Sequence, residues 1–219
     1  MIDLLHAVPE TQNFIRLNLQ FRSALACWSA FLTAWNGISF LPPPSHLPTI
    51  ELTTDASGSW GCGAWYEHSW FQIESDQRSY LLSIPEKELI PIILACAAAW
   101  GDNWRGCQVL FHCDNQVVIA ALRSRTSKVK GIMHLLRCLV FIEAHHQCFL
   151  HPTYIDTKSN HLADDLSRNR LSSFLSKVPM ADPLPTPVSL PLLNLLLNHE
   201  ADWTSPRWSR QFGIIFNKA

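Results

Sequence analysis

Four stretches of this sequence place an acid where the local pattern predicts a strand end or the first turns of a helix. They are Asp55 in TTDASGS, Glu88 in PEKELIPIILA, Asp114 in FHCDNQ, and the adjacent Asp164 and Asp165 in NHLADDLSR. Carboxylates converging from separate elements suit phosphodiester chemistry, which asks for two divalent cations held about 3.5–4 Å apart. Mg²⁺ takes oxygen ligands and keeps part of its water shell, so one or two protein carboxylates per ion suffice. Each acid also has an ordinary role open to it. Asp55 can cap the turn at Ser57 and Gly58, Glu88 can favour the positive end of its helix, and Asp114 can N-cap the helix that follows. Asp164 and Asp165 can favour the start of a helix capped by Ser159 or Asn160. Their joint occurrence, in this order and on these elements, points beyond those roles.

The elements that must position the acids can be read from periodicity. TIELTTDA, from residue 49, alternates as a strand with Ile50 and Leu52 on one face and Glu51, Thr53 and Asp55 on the other. Gly58, Gly61 and Gly63 supply a turn into a second strand, and SWFQI reads as a third. A helix over roughly 86–101 follows, with Ser83 and Glu86 spaced as a capping box. It is apolar almost all round (Leu89, Ile92, Ile93, Cys96, Ala97, Trp100), as a buried helix must be. A glutamate at position 88 of such a helix enters a site where its charge needs compensation. Then come a strand over 107–113, a helix from about Asn115, a helix over 128–143, a strand near 147–155 and the helix of NHLADDLSR. This order, βββαβααβα, predicts an α/β fold: a mixed sheet flanked by helices.

Residues 1–45 read as a helical arm, with Leu17, Phe21, Leu25, Trp28, Phe31, Leu32 and Trp35 near helical spacing and Pro42, Pro43 and Pro44 closing it. The core domain spans 49–175. Over 176–219 the composition shifts to a Pro-rich linker (prolines at 179, 183, 185, 187 and 191), a short Leu-rich helix and a tail.

Across 219 residues, 47% are apolar and the net charge is −1, so attraction to nucleic acid has to come from a local patch. Residues 115–142 provide one: Arg123, Arg125, Lys128, Lys130 and Arg137 lie there without a single acid. The seven cysteines form no CxxC pair, which fits reduced thiols in an intracellular protein, in cytoplasm or nucleus. The longest apolar run, 12 residues at 89–100, is too short to span a bilayer, and the opening residues lack the basic start and apolar core of a secretory signal.

The motifs TTDASGSWGCGAW, KELIPIILA, FHCDN and NHLADDLSR together resemble the successive motifs of the RNase H domain in retroelement reverse transcriptases, over about residues 49–170. IMHLLRCLVF, SNHLADDLSRNRLSSFLSKVP and DWTSPRW are most similar to the DIRS-like group. IRLNLQFRSALACWSAFLTAWNGISFLPP is similar to the connection that precedes RNase H in those elements.

The resemblance implies an RNase H-like fold with a five-stranded sheet. It also implies catalytic, metal-holding roles for Asp55, Glu88, Asp114 and Asp164, with two Mg²⁺ ions that Mn²⁺ can replace. Glu86 and Asp165 fall on other positions of the motifs; periodicity alone leaves the choice between Asp164 and Asp165 open. The implied substrate is the RNA strand of an RNA/DNA hybrid, recognised through backbone shape and 2′-OH groups. Asn115, Arg123, Arg125, Lys128 and Lys130 are its candidate contacts, and a polymerase domain of the same polyprotein is the implied partner.

One position departs from the pattern: Tyr154 stands where many relatives carry a histidine, and His151 and His161 do not align with it. Other readings stay open, namely a non-catalytic connection scaffold, a decayed element copy, or another nuclease on the same fold. An exonuclease would want a glutamate at position 57, where Ser57 stands, and a transposase would want a glutamate on the last helix.

Overall fold

The structure, a computed structural model, describes residues 46–96 and 100–197 together with scattered positions between 17 and 32. Of those scattered positions, the ones from Phe21 to Leu32 are helical, and Asn18 Oδ1 accepts the Phe21 N–H at 2.9 Å. They belong to a unit separate from Leu41–His199. Phe31, Trp35 and the tail from 198 onward lie outside the described residues.

Within Leu41–His199, β1 (Thr49–Ala56), β2 (Gly61–Tyr66) and β3 (Ser69–Glu74) form an antiparallel meander. β4 (Gln108–Cys113) runs parallel to β1 on its other side, and β5 (Phe149–Tyr154) runs parallel to β4. The sheet order is β3-β2-β1-β4-β5. This is the mixed five-stranded, helix-flanked α/β sheet of the RNase H-like fold. Because β1 and β4 are parallel, their C-terminal ends share one end of the sheet. Thr53 pairs with His112, so continuing the register by two residues brings Asp55 abreast of Asp114.

Among the described residues the unit also has six α-helices: α1 (Ile84–Leu94), α2 (Gln116–Ser124), α3 (Lys130–His146), α4 (His161–Ser167), α5 (Leu171–Lys177) and α6 (Leu190–Leu196). The N–H and the hydroxyl of Ser83 both donate to Glu86 Oε2 at 2.7 Å, which fixes the start of α1. α1 lies on β1 and β2 and also against α3. Being sandwiched explains why Leu89, Ile90, Ile92 and Leu94, which point in different directions around the helix, are all buried.

α4 also packs on β1 and β2, on the face of Asp55 and its cross-strand partner Gly63. Cross-strand partners point to the same side, so Leu52 and Thr54, both fully buried, face the α1 layer. Gly63 is what lets α4 sit so close: a Cβ there would lie 2.4 Å from the Leu166 Cβ and 3.2 Å from backbone. α5 then packs on α4, with Leu166, Phe174 and Trp70 forming a small apolar cluster.

The Pro-rich stretch read from composition as a linker runs along β3, the edge strand. Asp182 N–H donates to the His68 carbonyl (2.8 Å) and Thr186 N–H to the Trp70 carbonyl (2.7 Å). In return, Trp70 Nε1 donates to the Asp182 carbonyl (2.8 Å) and Ser69 Oγ to Asp182 Oδ2 (2.7 Å). Prolines 183, 185 and 187 have no N–H to offer, so the bonds fall on Asp182 and Thr186, a pattern suited to an edge. α6 packs on α1, and Arg78 donates to Asn194 Oδ1 at 2.6 Å.

Among the described residues no helix is long and apolar enough to cross a membrane, and the described cysteines are free thiols. Gly63→Ala is expected to push α4 off the sheet and lower the free energy of unfolding by about 1–3 kcal/mol, the usual cost of overpacking. Urea unfolding of the variant beside the wild type checks this, and an unchanged midpoint would show that α4 does not need the close approach.

Candidate active site

Three of the four acids, Asp55, Glu88 and Asp114, have a neighbour that carries out the structural role open to them. The turn after β1 is held by Ser57, whose Oγ accepts the N–H groups of Trp60 and Gly61 at 2.9 Å each, so Asp55 is not its cap. Glu86 caps α1, leaving Glu88 to the second turn. Asn115, not Asp114, caps α2, its Oδ1 accepting from Val117 (3.0 Å) and Val118 (3.3 Å).

Asp165 is buried and bridges α4 to α5, taking Lys177 Nζ at 2.6 Å, Ser173 Oγ at 2.8 Å and Arg170 Nε at 3.0 Å. Burial pushes the Asp165 carboxyl up, but these hydrogen bonds and cations outweigh it and hold the carboxyl below its ordinary range. Asp55, Glu88, Asp114 and Asp164 line one open cleft of about 360 Å³ at the C-terminal end of β1 and β4. That is the end of an α/β sheet where ligands bind.

The last motif supplies three supports whose roles sequence reasoning did not assign. Asn160 precedes α4 but does not cap it with its side chain. Instead, its Nδ2 donates to the Thr54 carbonyl at 3.2 Å and pins the helix start beside Asp55. Ser167, fully buried, donates its hydroxyl to Asp55 Oδ2. Arg168 Nε binds Asp164 Oδ1 at 2.5 Å, and Arg170 binds the other Asp164 oxygen. The signal for these roles is the side-chain direction of a seven-residue helix, invisible until its docking face is known.

The electrostatics are those of acids crowded together and deprived of water. Burial is the main cause that raises the Asp55 carboxyl to about 6; the Ser167 hydroxyl opposes it, Asp114 and Asp164 add to it, and Arg168 lowers it again. Glu88 is pushed well above its ordinary value by burial, then by the charges of Asp55 and Asp114, against one backbone N–H from Ala56. Its Oε2 is buried with no hydrogen-bond partner. An orphaned carboxylate oxygen among three further carboxylates fits a site built for divalent cations.

The remaining expected residues are placed as follows. Asn115 lines the cleft, its Oδ1 engaged in the cap. Arg123 is exposed, with one long bond of 3.4 Å to the Pro152 carbonyl. Arg125 closes α2 in a left-handed conformation (φ 53°) and pairs with Glu143, the first acid after the acid-free stretch, at 2.5 and 2.8 Å. Lys128 and Lys130 are exposed, and Arg137 is half-buried. Tyr154 is half-exposed at the end of β5 and does not line the cleft.

Fold and site together describe an RNase H-like α/β domain with a cleft of carboxylates at the sheet end. No family model matches the sequence, and no curated protein matches it. Among solved structures it is similar to RNase H1 of the halophilic archaeon Halobacterium salinarum NRC-1, at 15% identity and a TM-score of 0.43, over 57% of this chain and 98% of that one. It is also similar to a foamy viral protease-reverse transcriptase solved in complex with an RNA/DNA hybrid. That likeness has 14% identity and a TM-score of 0.37, and it covers 74% of this chain and 23% of that one.

The pKa directions set a test. A carboxyl raised in the folded state stabilises the fold fully below its unfolded pKa, near 3.9, and loses that contribution as pH climbs through 6. At neutral pH the metal-free protein therefore carries a penalty of about 2–3 kcal/mol from Asp55. Asp55→Asn is expected to melt above the wild type at pH 7 in EDTA, the gap narrowing towards pH 4–5, while added Mg²⁺ raises the wild type more than the variant. A variant less stable at pH 7 would show that Asp55 is not strained by its surroundings.

Proposed function

We propose that this chain is a metal-dependent endonuclease hydrolysing the RNA strand of RNA/DNA hybrids, the RNase H part of a retrotransposon reverse transcriptase polyprotein of the DIRS-like group. The observation that carries the reading is the convergence of Asp55, Glu88, Asp114 and Asp164 on one cleft, the first three relieved of local structural duty by a neighbour. These four residues would hold two Mg²⁺ ions, with Mn²⁺ able to substitute. Such ions supply Lewis acidity, making water a better nucleophile and neutralising charge on phosphoryl oxygens.

The protein's own part is positioning. Ser167 fixes one Asp55 oxygen, Asn160 ties α4 to β1, and Gly63 permits their approach. Arg168 neutralises Asp164 while the cleft holds no cation. Along the backbone of a hybrid, Asn115, Arg123, Lys128 and Lys130 offer donors to phosphates, and Arg125 joins them when it leaves Glu143. The polymerase domain of the same polyprotein, in an intracellular setting, is the partner in this reading.

A second reading, a scaffold that keeps the fold without cutting, is favoured by one observation: both Asp164 oxygens are occupied by arginines. The two readings part in a single assay. The purified chain is incubated with a labelled RNA strand in an RNA/DNA hybrid, with Mg²⁺, Mn²⁺ or EDTA, beside Asp114→Asn. The expected result is metal-dependent cleavage of the RNA, falling at least about a hundredfold in the variant, as for loss of one electrostatic stabiliser, with duplex DNA untouched. A folded chain that leaves the hybrid whole under both metals would establish the scaffold.

A further inference from the structure

Beside two of the cleft's acids lies one donor that oxygen chemistry does not use. Cys113, the last residue of β4, is fully buried, and its Sγ accepts the Asn115 N–H at 3.3 Å. This sulfur, a Glu88 carboxylate oxygen and an Asp114 carboxylate oxygen all lie within 4.8 Å of one another. Glu88 is only 4% exposed, lines the cleft, and leaves Oε2 without a hydrogen-bond partner.

We propose that Cys113, Glu88 and Asp114 form a thiophilic cation site at the buried margin of the cleft, one that takes Zn²⁺ or Cd²⁺ through one sulfur and two carboxylates. Mg²⁺ gains nothing from a thiol, whereas Zn²⁺ and Cd²⁺ prefer sulfur and accept low coordination numbers. With metal–sulfur and metal–oxygen bonds near 2.3 and 2.0–2.2 Å, donors in a tetrahedral site stand roughly 3.5 Å apart. The three groups therefore need only a small closure, which rotation of the Asp114 side chain at the strand end can provide. The step exchanges one bond for another: the S–H bond breaks, the sulfur–metal bond forms, and the proton leaves to solvent with no change of oxidation state. Two of the three ligands are shared with the proposed Mg²⁺ site, so a bound soft ion excludes the hard ions from Glu88 and Asp114. The site itself does not depend on whether the hybrid is cut.

The test is a Cd²⁺ titration of the full chain, following the sulfur-to-cadmium charge-transfer absorption in the ultraviolet, with Cys113→Ser and Glu88→Gln alongside. The wild type is expected to show a saturable band at one equivalent. Cys113→Ser should lose that band and at least about tenfold in affinity, since even an outer ligand partner is worth that much. Glu88→Gln should keep the band at weaker affinity. An unchanged band in Cys113→Ser, or oxygen-only binding in the wild type, overturns the proposal. Zinc-edge X-ray absorption on the wild type gives a reading that no variant's folding can disturb: one sulfur neighbour at about 2.3 Å supports the site, and an all-oxygen shell refutes it.

Discussion

Repulsion among like charges in a poorly hydrated cleft is the constraint around which this domain is arranged. Four carboxylates at one end of a sheet resist being brought together, and burial strengthens their mutual field. The fold overcomes that resistance with rigid parts. Parallel pairing of β1 and β4 fixes Asp55 beside Asp114, α1 is held between the sheet and α3 with Glu88 on it, and Asn160 and Gly63 dock α4. Counter-charge is rationed: Asp164 receives two arginines, Asp55 receives a hydroxyl, and Glu88 keeps an oxygen with nothing bound. Such a site stores unfavourable energy in the metal-free protein, energy that bound cations would release.

The two neighbouring acids of α4 show how differently adjacent residues can be used. Asp165 is neutralised by Lys177 and Arg170 and joins two helices; Asp164 looks into the cleft. On a helix, successive side chains diverge by about 100°, so one turn can serve the packing and the chemistry at once. The same division recurs at Glu86 and Glu88 and at Asn115 and Asp114.

Much of this was legible in the sequence. Alternation in TIELTTDA and the all-round apolarity of LIPIILA mark a strand end and a buried helix, and these two elements carry Asp55 and Glu88. The capping box at Ser83 and Glu86 forms as its spacing predicts. Other features were not legible, for identifiable reasons. Which residue caps α2 depends on rotamers, since Asp114 and Asn115 are both good caps. The pairing of Arg125 with Glu143 joins residues 18 apart through the turn between two helices. The Pro-rich stretch reads as a linker because proline suppresses every periodic signal, yet it is hydrogen-bonded to β3 through the two residues in it best placed to donate. The roles of Ser167 and Asn160 depend on which face of a seven-residue helix meets the sheet, and so short a helix has no period to reveal it.

That Pro-rich stretch also has a mechanical consequence. It leaves α5, which rests on the α4 layer, passes around the outer edge of β3, and delivers the chain to α6 on the α1 layer. The sheet is therefore belted on one side. Tension applied to the chain at residue 197 reaches the strands only after α6 has been lifted from α1 and the Asp182 and Thr186 bonds have been peeled from β3 one at a time. The carboxylate end of β1 and β4, anchored in the middle of the sheet, is thus insulated from pulling on that terminus.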